Sequence, residues 1–378
     1  MKARGAGALL WVALALGPAE AEADTAPSVW DIARDPAERD RWKLHVTVER
    51  LMHPHPAEDE DVSSAEQAMD DRLSLAKAAD LLEQADAAHS PDVRLAFDLG
   101  VVYERLAELQ GDDGLQEKVV AVLVPALDAA PDHPGALEAL YALAVAFAHL
   151  DRPRDELATW RRYIPKLADD RRRLLPMMNM GEAEMHLGQI DAALATFHAA
   201  LDICQSLPNS ASLSEPYALI LWDIAIALDR QGDPVAAFRT AAKARSFSWT
   251  VTIAIDQGRT QVRTLTGWDA IRDYETVFFS PAWEREWYLA LGEAALASDA
   301  PDPRVAAKGW ADAERHWDTY FTRATEPGRV ETARGEREGV VSRWAAMAKL
   351  RRDYAHRARL AAEKRAPAKS QAAGEVEP

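Results

Sequence analysis

Residues 180–201 read MGEAEMHLGQIDAALATFHAAL, and this stretch decides the fold of the chain. A helix-periodic run is followed by a short turn at Gly188, and then by a second run in which Ala193 and Phe197 lie four residues apart. Apolar residues at that spacing indicate amphipathic helices, and the short turn predicts that the two helices are antiparallel neighbours. Gly181 and Ala193 leave room for the helices to approach closely, and Phe197 would fill the gap to the next pair.

The same arrangement recurs along the chain. Residues 143–164 read LAVAFAHLDRPRDELATWRRYI, and residues 224–244 read IAIALDRQGDPVAAFRTAAKA. The best copy resembles the tetratricopeptide repeat (TPR) at Gly181, Leu187, Gly188, Ala193, Phe197, Ala200 and Leu201. The resemblance implies helix-turn-helix units of about 34 residues, which must stack because no unit buries its apolar face alone. Two positions depart from the family pattern, since Glu156 replaces a small residue and Ala241 replaces an aromatic one.

These features predict an all-α, right-handed helical-repeat solenoid (TPR-like) with a small β-hairpin insertion, and an unrelated helical bundle is the alternative. Units starting at 93, 137, 174, 218 and 285 are spaced more widely than about 34 residues, so insertions or longer helices are expected. The predicted segments are a signal peptide at 1–23, an irregular lead-in or linker at 24–64, TPR-like repeats at 65–248, an insertion at 249–284, a further repeat with a basic C-terminal helix at 285–365, and a disordered tail at 366–378.

The insertion begins with WTVTIAIDQGRTQVRTLTGW at 249–268. Trp249, Val251, Ile253 and Ile255 alternate with more polar residues, which is the period of a half-buried strand. Gly258 can take the positive φ of a tight turn, so a β-hairpin is favoured over a degenerate repeat. Aromatic residues crowd this region, and they predict either a local aromatic core or a second interface at Trp249, Trp268, Trp283 and Trp287.

The N-terminus has the features of an export signal. Lys2 and Arg4 precede an apolar run at 8–16, and small residues follow at Ala19, Ala21 and Ala23. Nine apolar residues are too few to span a bilayer, which needs about 20. A cleaved signal peptide and a periplasmic or secreted mature chain without an integral membrane span are therefore expected. A net charge of −17 argues against nucleic acid as a partner.

Catalytic signatures are missing from the sequence, which contains no phosphate loop, nucleophile elbow or zinc-protease helix. His45, His53 and His55 lie near four consecutive acids at 58–61, but Pro54 and Pro56 favour a flexible polar linker. The sequence therefore predicts a non-enzymatic protein with no cofactor and no metal site.

The resemblance implies a concave groove lined by the first helix of each unit. Carried onto this chain, the groove positions are Phe97, Val101, Tyr141, Val145, Met178, Glu182, Trp222 and Ile226. Most are aromatic or apolar, so a hydrophobic segment or an amphipathic helix is the expected ligand. The alternative is that several of these side chains pack against the next unit.

The function predicted from these features is a protein–protein interaction scaffold of the cell envelope that binds another envelope protein. An alternative rests on residues 349–365, KLRRDYAHRARLAAEKR, which carry seven Lys or Arg against two acids. This helix could dock on anionic lipid or glycan as a peripheral contact, or fold back onto the acidic solenoid. A further alternative is an accessory subunit of an envelope enzyme or secretion complex.

Overall fold

A computed structural model describes residues 35–53, 64–208, 213–255, 259–272, 279, 281–326 and 338–366. The predicted signal peptide, His55, the acids at 58–61, the hairpin turn around Gly258 and nearly all of the predicted tail lie outside these residues. The described helices and strands, in chain order, are α1 (Pro36–Met52), α2 (Ser64–Gln84), α3 (Val93–Gln110), α4 (Asp113–Ala129), α5 (Ala136–His149), α6 (Pro153–Tyr163), α7 (Asp170–His186), α8 (Ile190–Ser206), α9 (Ser214–Gln231), α10 (Pro234–Ser246), β1 (Ser248–Ile255), β2 (Arg259–Thr266), α11 (Gly267–Arg272), α12 (Arg285–Asp299), α13 (Pro303–Ala324) and α14 (Glu338–Arg365).

The chain forms two compact units. Of the described residues, unit one comprises 35–53, 64–208, 250–255, 259–264, 279 and 281, and unit two comprises 213–249, 265–272, 282–326 and 338–366. In unit one each helix from α1 to α8 packs on the next in sequence. Helices α3 and α5, the first helices of two successive pairs, also contact each other. In unit two α9 packs on α10, α10 on α12, α12 on α13 and α13 on α14. Each unit is therefore an array of antiparallel helix pairs, as expected of a TPR-like solenoid.

Helix boundaries follow local chemistry. Asp92, Asp112 and Asp169 cap α3, α4 and α7, where each carboxylate accepts a hydrogen bond from the N–H two residues later. Gly111 ends α3 with a φ of 63°, a left-handed conformation that favours glycine. No helix in the described ranges is both long enough and apolar enough to cross a membrane.

A small residue on each first helix allows close packing of the pair. Seven positions after each predicted unit start, the chain has a buried glycine or alanine: Gly100, Ala144, Gly181, Ala225 and Gly292. A Cβ on Gly100 would overlap Leu123 of α4, and one on Gly181 would overlap the Phe197 ring of α8. The role predicted for Gly181 is therefore confirmed. Phe197 is fully buried against Gly181 of its own pair, whereas the sequence placed it in the gap to the next pair.

The hairpin is confirmed, because β1 and β2 pair in a two-stranded sheet. Its base is held in unit two, where Trp249 and Leu265 are buried, whereas the described side chains at 261–264 are exposed. The degenerate-repeat alternative is wrong for the strands. The hairpin continues directly into α11, whose Gly267 lies so close to the Ala244 carbonyl that a Cβ would overlap it.

The prediction of an irregular segment at 24–64 is wrong for α1. The Asp35 side chain accepts a hydrogen bond from Ala37 N at 2.8 Å, and Pro36 occupies the first turn. Val48 and Met52, four residues apart, are buried. These start signals and this spacing are those of an amphipathic helix, and the Pro-rich stretch that suggested a linker begins only after Met52.

The basic C-terminal helix packs inside unit two. Tyr354 of α14 meets Trp310 of α13 edge-on, with ring centroids 5.5 Å apart. Arg352 pairs with Asp318 at 2.8 Å, and Arg359 pairs with Glu314 at 3.0 Å. Acids of the chain therefore neutralise part of the positive charge of this helix. This is what the sequence analysis expects if the helix folds back onto the acidic solenoid.

A buried ionic cluster anchors α14 to α9. Arg351 pairs at 2.6 Å with Asp229, which is 0% exposed and also accepts a hydrogen bond from Trp287 Nε1 at 2.9 Å. The neighbouring Arg230 is 1% exposed and pairs with Glu284, with the Trp287 and Trp344 rings beside its guanidinium. A buried charge without its partner is costly, so these contacts fix the relative placement of α9, α12 and α14.

The first prediction concerns the close approach at Gly181. Gly181→Ala adds a methyl group against the immobile Phe197 ring and should lower the free energy of unfolding by about 1–3 kcal/mol, measured by chemical denaturation. Gly339→Ala on α14 is the matched control, because no atom lies within 4 Å of the added Cβ. It should leave stability within about 1 kcal/mol of the parent. Equal losses in the two variants would contradict the packing argument.

The second prediction compares two adjacent arginines. Arg351→Gln leaves the buried Asp229 carboxylate without its ion pair and should cost about 3 kcal/mol of unfolding free energy. Arg352→Gln removes a pair with Asp318, whose side chain is 55% exposed. It should cost about 0–1 kcal/mol. Thermal and urea unfolding of both variants would test the difference, and a larger loss at Arg352 would refute it.

Candidate protein-binding face and its carboxylates

The predicted aromatic groove has to be corrected at five positions. The side chains of Phe97, Val101, Met178, Trp222 and Ile226 are at most 5% exposed. They pack between helices, and Trp222 Nε1 donates a hydrogen bond to the Gly267 carbonyl at 2.8 Å. These side chains hold neighbouring helices together and are closed to a partner in this conformation, as the packing alternative expects.

Tyr141, Val145 and Glu182 are only partly buried. The Tyr141 ring meets Trp160 edge-on at 5.6 Å and Tyr163 at 5.8 Å between ring centroids. Burial and the neighbouring carboxylates Glu104 and Glu108 raise the pKa of the Tyr141 hydroxyl. The hydroxyl has no hydrogen-bond partner among the described residues. The part of the predicted groove that remains partly exposed therefore combines aromatic rings with nearby acids.

Glu104 and Glu108 lie one turn apart on α3, beside Tyr141. Glu104 is 3% exposed, and burial holds its pKa well above the ordinary value. Burial also raises the pKa of Glu108, although less strongly because protonated Glu104 donates a hydrogen bond to it. No described Lys or Arg forms an ion pair with either carboxyl group. The face thus holds two contacting carboxyl groups that have no ion-pair partner among the described residues.

A second group of ionisable side chains lies where α1, α3 and α5 meet. His45 Nδ1 is 2.7 Å from Asp98 Oδ2, and this hydrogen bond raises the pKa of His45. Arg105 donates to Glu138 Oε1 at 3.0 Å and to the Met52 carbonyl at 3.2 Å. Burial raises the pKa values of Asp98 and Glu49, and nearby acids add to both effects.

Glu156, which departs from the repeat pattern, has a structural explanation. The carboxyl group is 5% exposed and accepts a hydrogen bond from Trp160 Nε1 at 3.1 Å. Burial raises its pKa to about 8, and the negative charge of Glu182 contributes. Glu156 is therefore a neutral acid at pH 7, because burying the ionised form would be costly.

The predicted second interface is also corrected. Trp249, Trp268 and Trp287 are at most 8% exposed, so they form the aromatic core of unit two. Trp268 packs against Gly292, and Arg245 lies 3.8 Å above its ring. Trp283 is half-buried and meets Tyr320 edge-on at 5.0 Å between centroids. Three of the four rings are thus closed to a partner.

Sequence reasoning missed Glu49, Asp98, Glu104 and Glu108. A signal was present, because Asp98 and Glu104 interrupt an otherwise apolar run in VRLAFDLGVVYERLAELQ. A buried polar residue is more informative than an exposed apolar one. The lone thiol, Cys204, is buried with a raised pKa and is poorly suited to act as a nucleophile.

No protein-family model matches the chain, and no curated protein sequence matches it either. Among solved structures it is similar to a Rap protein crystallised in complex with competence and sporulation factor. That alignment has a TM-score of 0.40 and 11% identity, and covers 86% of this chain and 96% of the Rap chain. At this similarity, function has to be argued from the chain's own residues.

The third prediction follows from Glu156. Its pKa is higher in the folded chain than in the unfolded chain, so the native state retains a proton that the unfolded state loses. Stability should therefore fall as pH rises from about 4.5 to about 8. Glu156→Gln keeps the acceptor for Trp160 but cannot ionise. It should gain a few kcal/mol over the parent between pH 5 and pH 9, because each pKa unit corresponds to about 1.4 kcal/mol.

Urea denaturation at several pH values measures this difference. Glu117→Gln, at an exposed position of α4, is the matched control and should follow the parent at every pH. A Glu156→Gln curve parallel to that of the parent would show that the carboxyl group is not held neutral.

Proposed function

We propose that this chain is a non-enzymatic protein–protein interaction scaffold of the cell envelope. Its binding face would lie on the first helices of the pairs in unit one, α3, α5 and α7. It is defined here by Glu104, Glu108, Tyr141, Leu175 and Glu182. The single observation that carries the proposal is the unpaired acidity of this face, where Glu104 and Glu108 contact each other and no described Lys or Arg forms an ion pair with either carboxyl group. Buried carboxylates in native proteins are paired or neutral, so a partner that supplies a cation would complement this pair.

The chemistry of the face favours a segment that donates hydrogen bonds. A cationic side chain near Glu104 and Glu108 would allow both carboxylates to ionise, since it would replace their shared proton. Leu175 is 51% exposed and lies seven residues before Glu182 on α7, so it offers apolar contact on the same helix face. We therefore favour a basic, partly apolar segment over the purely hydrophobic ligand suggested by the sequence.

The envelope location rests on the export signal in residues 1–23. The alternative of docking on anionic lipid or glycan has less support, because Arg351, Arg352 and Arg359 pair with acids inside unit two. Lys349, Arg357, Lys364 and Arg365 carry the remaining positive charge of residues 349–365.

The fourth prediction tests the binding face by site-specific photo-crosslinking in cells that express the full chain. A photoreactive amino acid at position 175 should give a discrete adduct with another protein, to be identified by mass spectrometry. The same amino acid at position 124 should not, because Val124 is an exposed residue on the second helix α4.

Two further variants test the chemistry of the face. Glu104→Gln and Tyr141→Phe, each combined with the position 175 probe, should reduce the adduct severalfold while the fold is retained. Binding of the identified partner should also strengthen as pH rises, if a cation displaces the shared proton. Crosslinking at position 124 but not at position 175 would show that the interface does not lie on this face. An adduct that neither variant reduces would show the same.

A further inference from the structure

We propose that His45, Glu49 and Asp98 form a binding site for a divalent first-row transition ion of the Zn²⁺ type. Each side chain offers one ligand atom, and the three atoms lie within 4.8 Å of one another. His45 and Glu49 are one turn apart on α1, so they share a face, and Asp98 approaches them from α3. The site thus joins two helices that are separated by the whole of α2 in sequence.

The geometry requires only small side-chain movements. Ligand atoms bound to one Zn²⁺ ion at about 2.0–2.2 Å lie roughly 3–3.5 Å from each other. His45 Nδ1 and Asp98 Oδ2, at 2.7 Å, are already close to this spacing. Glu49 has the largest distance to cover, and its carboxylate is free to rotate because it makes no hydrogen bond or ion pair with a described residue.

The electrostatics of the cluster favour a cation. Glu49 lies near Asp98 and Glu138, and all three carboxylates repel each other when ionised. The facing cations are already committed, because Arg105 pairs with Glu138 and Arg94 pairs with Asp92. A bound dication would relieve this repulsion. Arg94 and Arg105 would reduce its affinity without abolishing it.

The ligand set selects the kind of ion. One imidazole nitrogen with two carboxylate oxygens suits Zn²⁺ and similar transition ions, whereas Mg²⁺ and Ca²⁺ prefer all-oxygen sites. Three protein ligands leave a coordination position for water, and half-burial of His45 and Glu49 leaves access from solvent. An ion held there would fasten α1 to α3 at the beginning of the described array.

The chain contains its own control for this proposal. His89 Nδ1 lies 2.7 Å from Asp86 Oδ1, the same distance as in the His45–Asp98 pair. The His89–Asp86 pair is exposed, and within the described residues it has no third ligand in range. If a histidine–aspartate pair alone were enough, both sites would bind; the proposal requires the third ligand, Glu49.

The fifth prediction is tested by isothermal titration of the full-length, chelator-treated chain with ZnCl₂, and separately with MgCl₂. The parent should bind one Zn²⁺ per chain at this site, should show no comparable Mg²⁺ binding, and should unfold at a higher temperature with Zn²⁺ present. Glu49→Gln and His45→Asn should each weaken Zn²⁺ binding by about tenfold or more, since losing even an outer-shell partner costs about 10- to 100-fold. His89→Asn should bind like the parent.

Glu49→Gln also separates lost binding from lost folding. It removes charge repulsion at the cluster, so without metal it should unfold at the same or a higher temperature than the parent. Absence of saturable Zn²⁺ binding by the parent would overturn the proposal. Zn²⁺ binding that survives both Glu49→Gln and His45→Asn would also overturn it. Binding that is lost only in His55→Asn is one such result, because it would place the ion at a different site. None of these results depends on the protein-binding face.

Discussion

The structure depends on the close approach of the two helices in each repeat, which a glycine or alanine at one position of the first helix permits. At Gly100 and Gly181 a single added methyl group would overlap the side chain of the second helix. Because the helices are this close, the large residues beside the small one must pack between neighbouring helices. That is why Phe97, Val101 and Trp222, placed in a groove by analogy, are buried. Tight pairing and an open aromatic groove compete for the same side chains.

The same helix packing buries several carboxyl groups of unit one. Burial of an acid is costly unless the acid is neutral, paired or bound to a cation. In unit one Glu104 donates a hydrogen bond to Glu108, Glu156 accepts a hydrogen bond from Trp160, and Asp98 contacts His45. These arrangements leave negative charge and acceptor capacity near the surface of α3 and α5. The chemical character of this face is therefore acidic, since three of its five defining residues are glutamates.

Local sequence patterns predict most of the fold but few residues of the candidate site. The helix pairs follow from period 3.6 and the hairpin from the alternation of Trp249, Val251 and their neighbours, because both signals are local. Asp35 and Pro36 are the start signals of α1, but the Pro-rich stretch after Met52 favours an irregular segment, so the sequence analysis does not predict this helix. The contacts between His45 and Asp98, and between Arg230 and Glu284, join residues more than 50 positions apart. Only tertiary packing brings such residues together, so the helix periodicity of the sequence does not predict these contacts.

The two units treat buried charge in opposite ways, and this difference bears on where regulation can act. In unit two Arg230 and Arg351 neutralise Glu284 and Asp229, and aromatic rings enclose the pairs. Such pairs serve to fix helices. In unit one Glu104, Glu108 and Glu156 form no ion pair with a described Lys or Arg, and burial raises their pKa values. A change in pH or a basic segment would therefore act first on these acids.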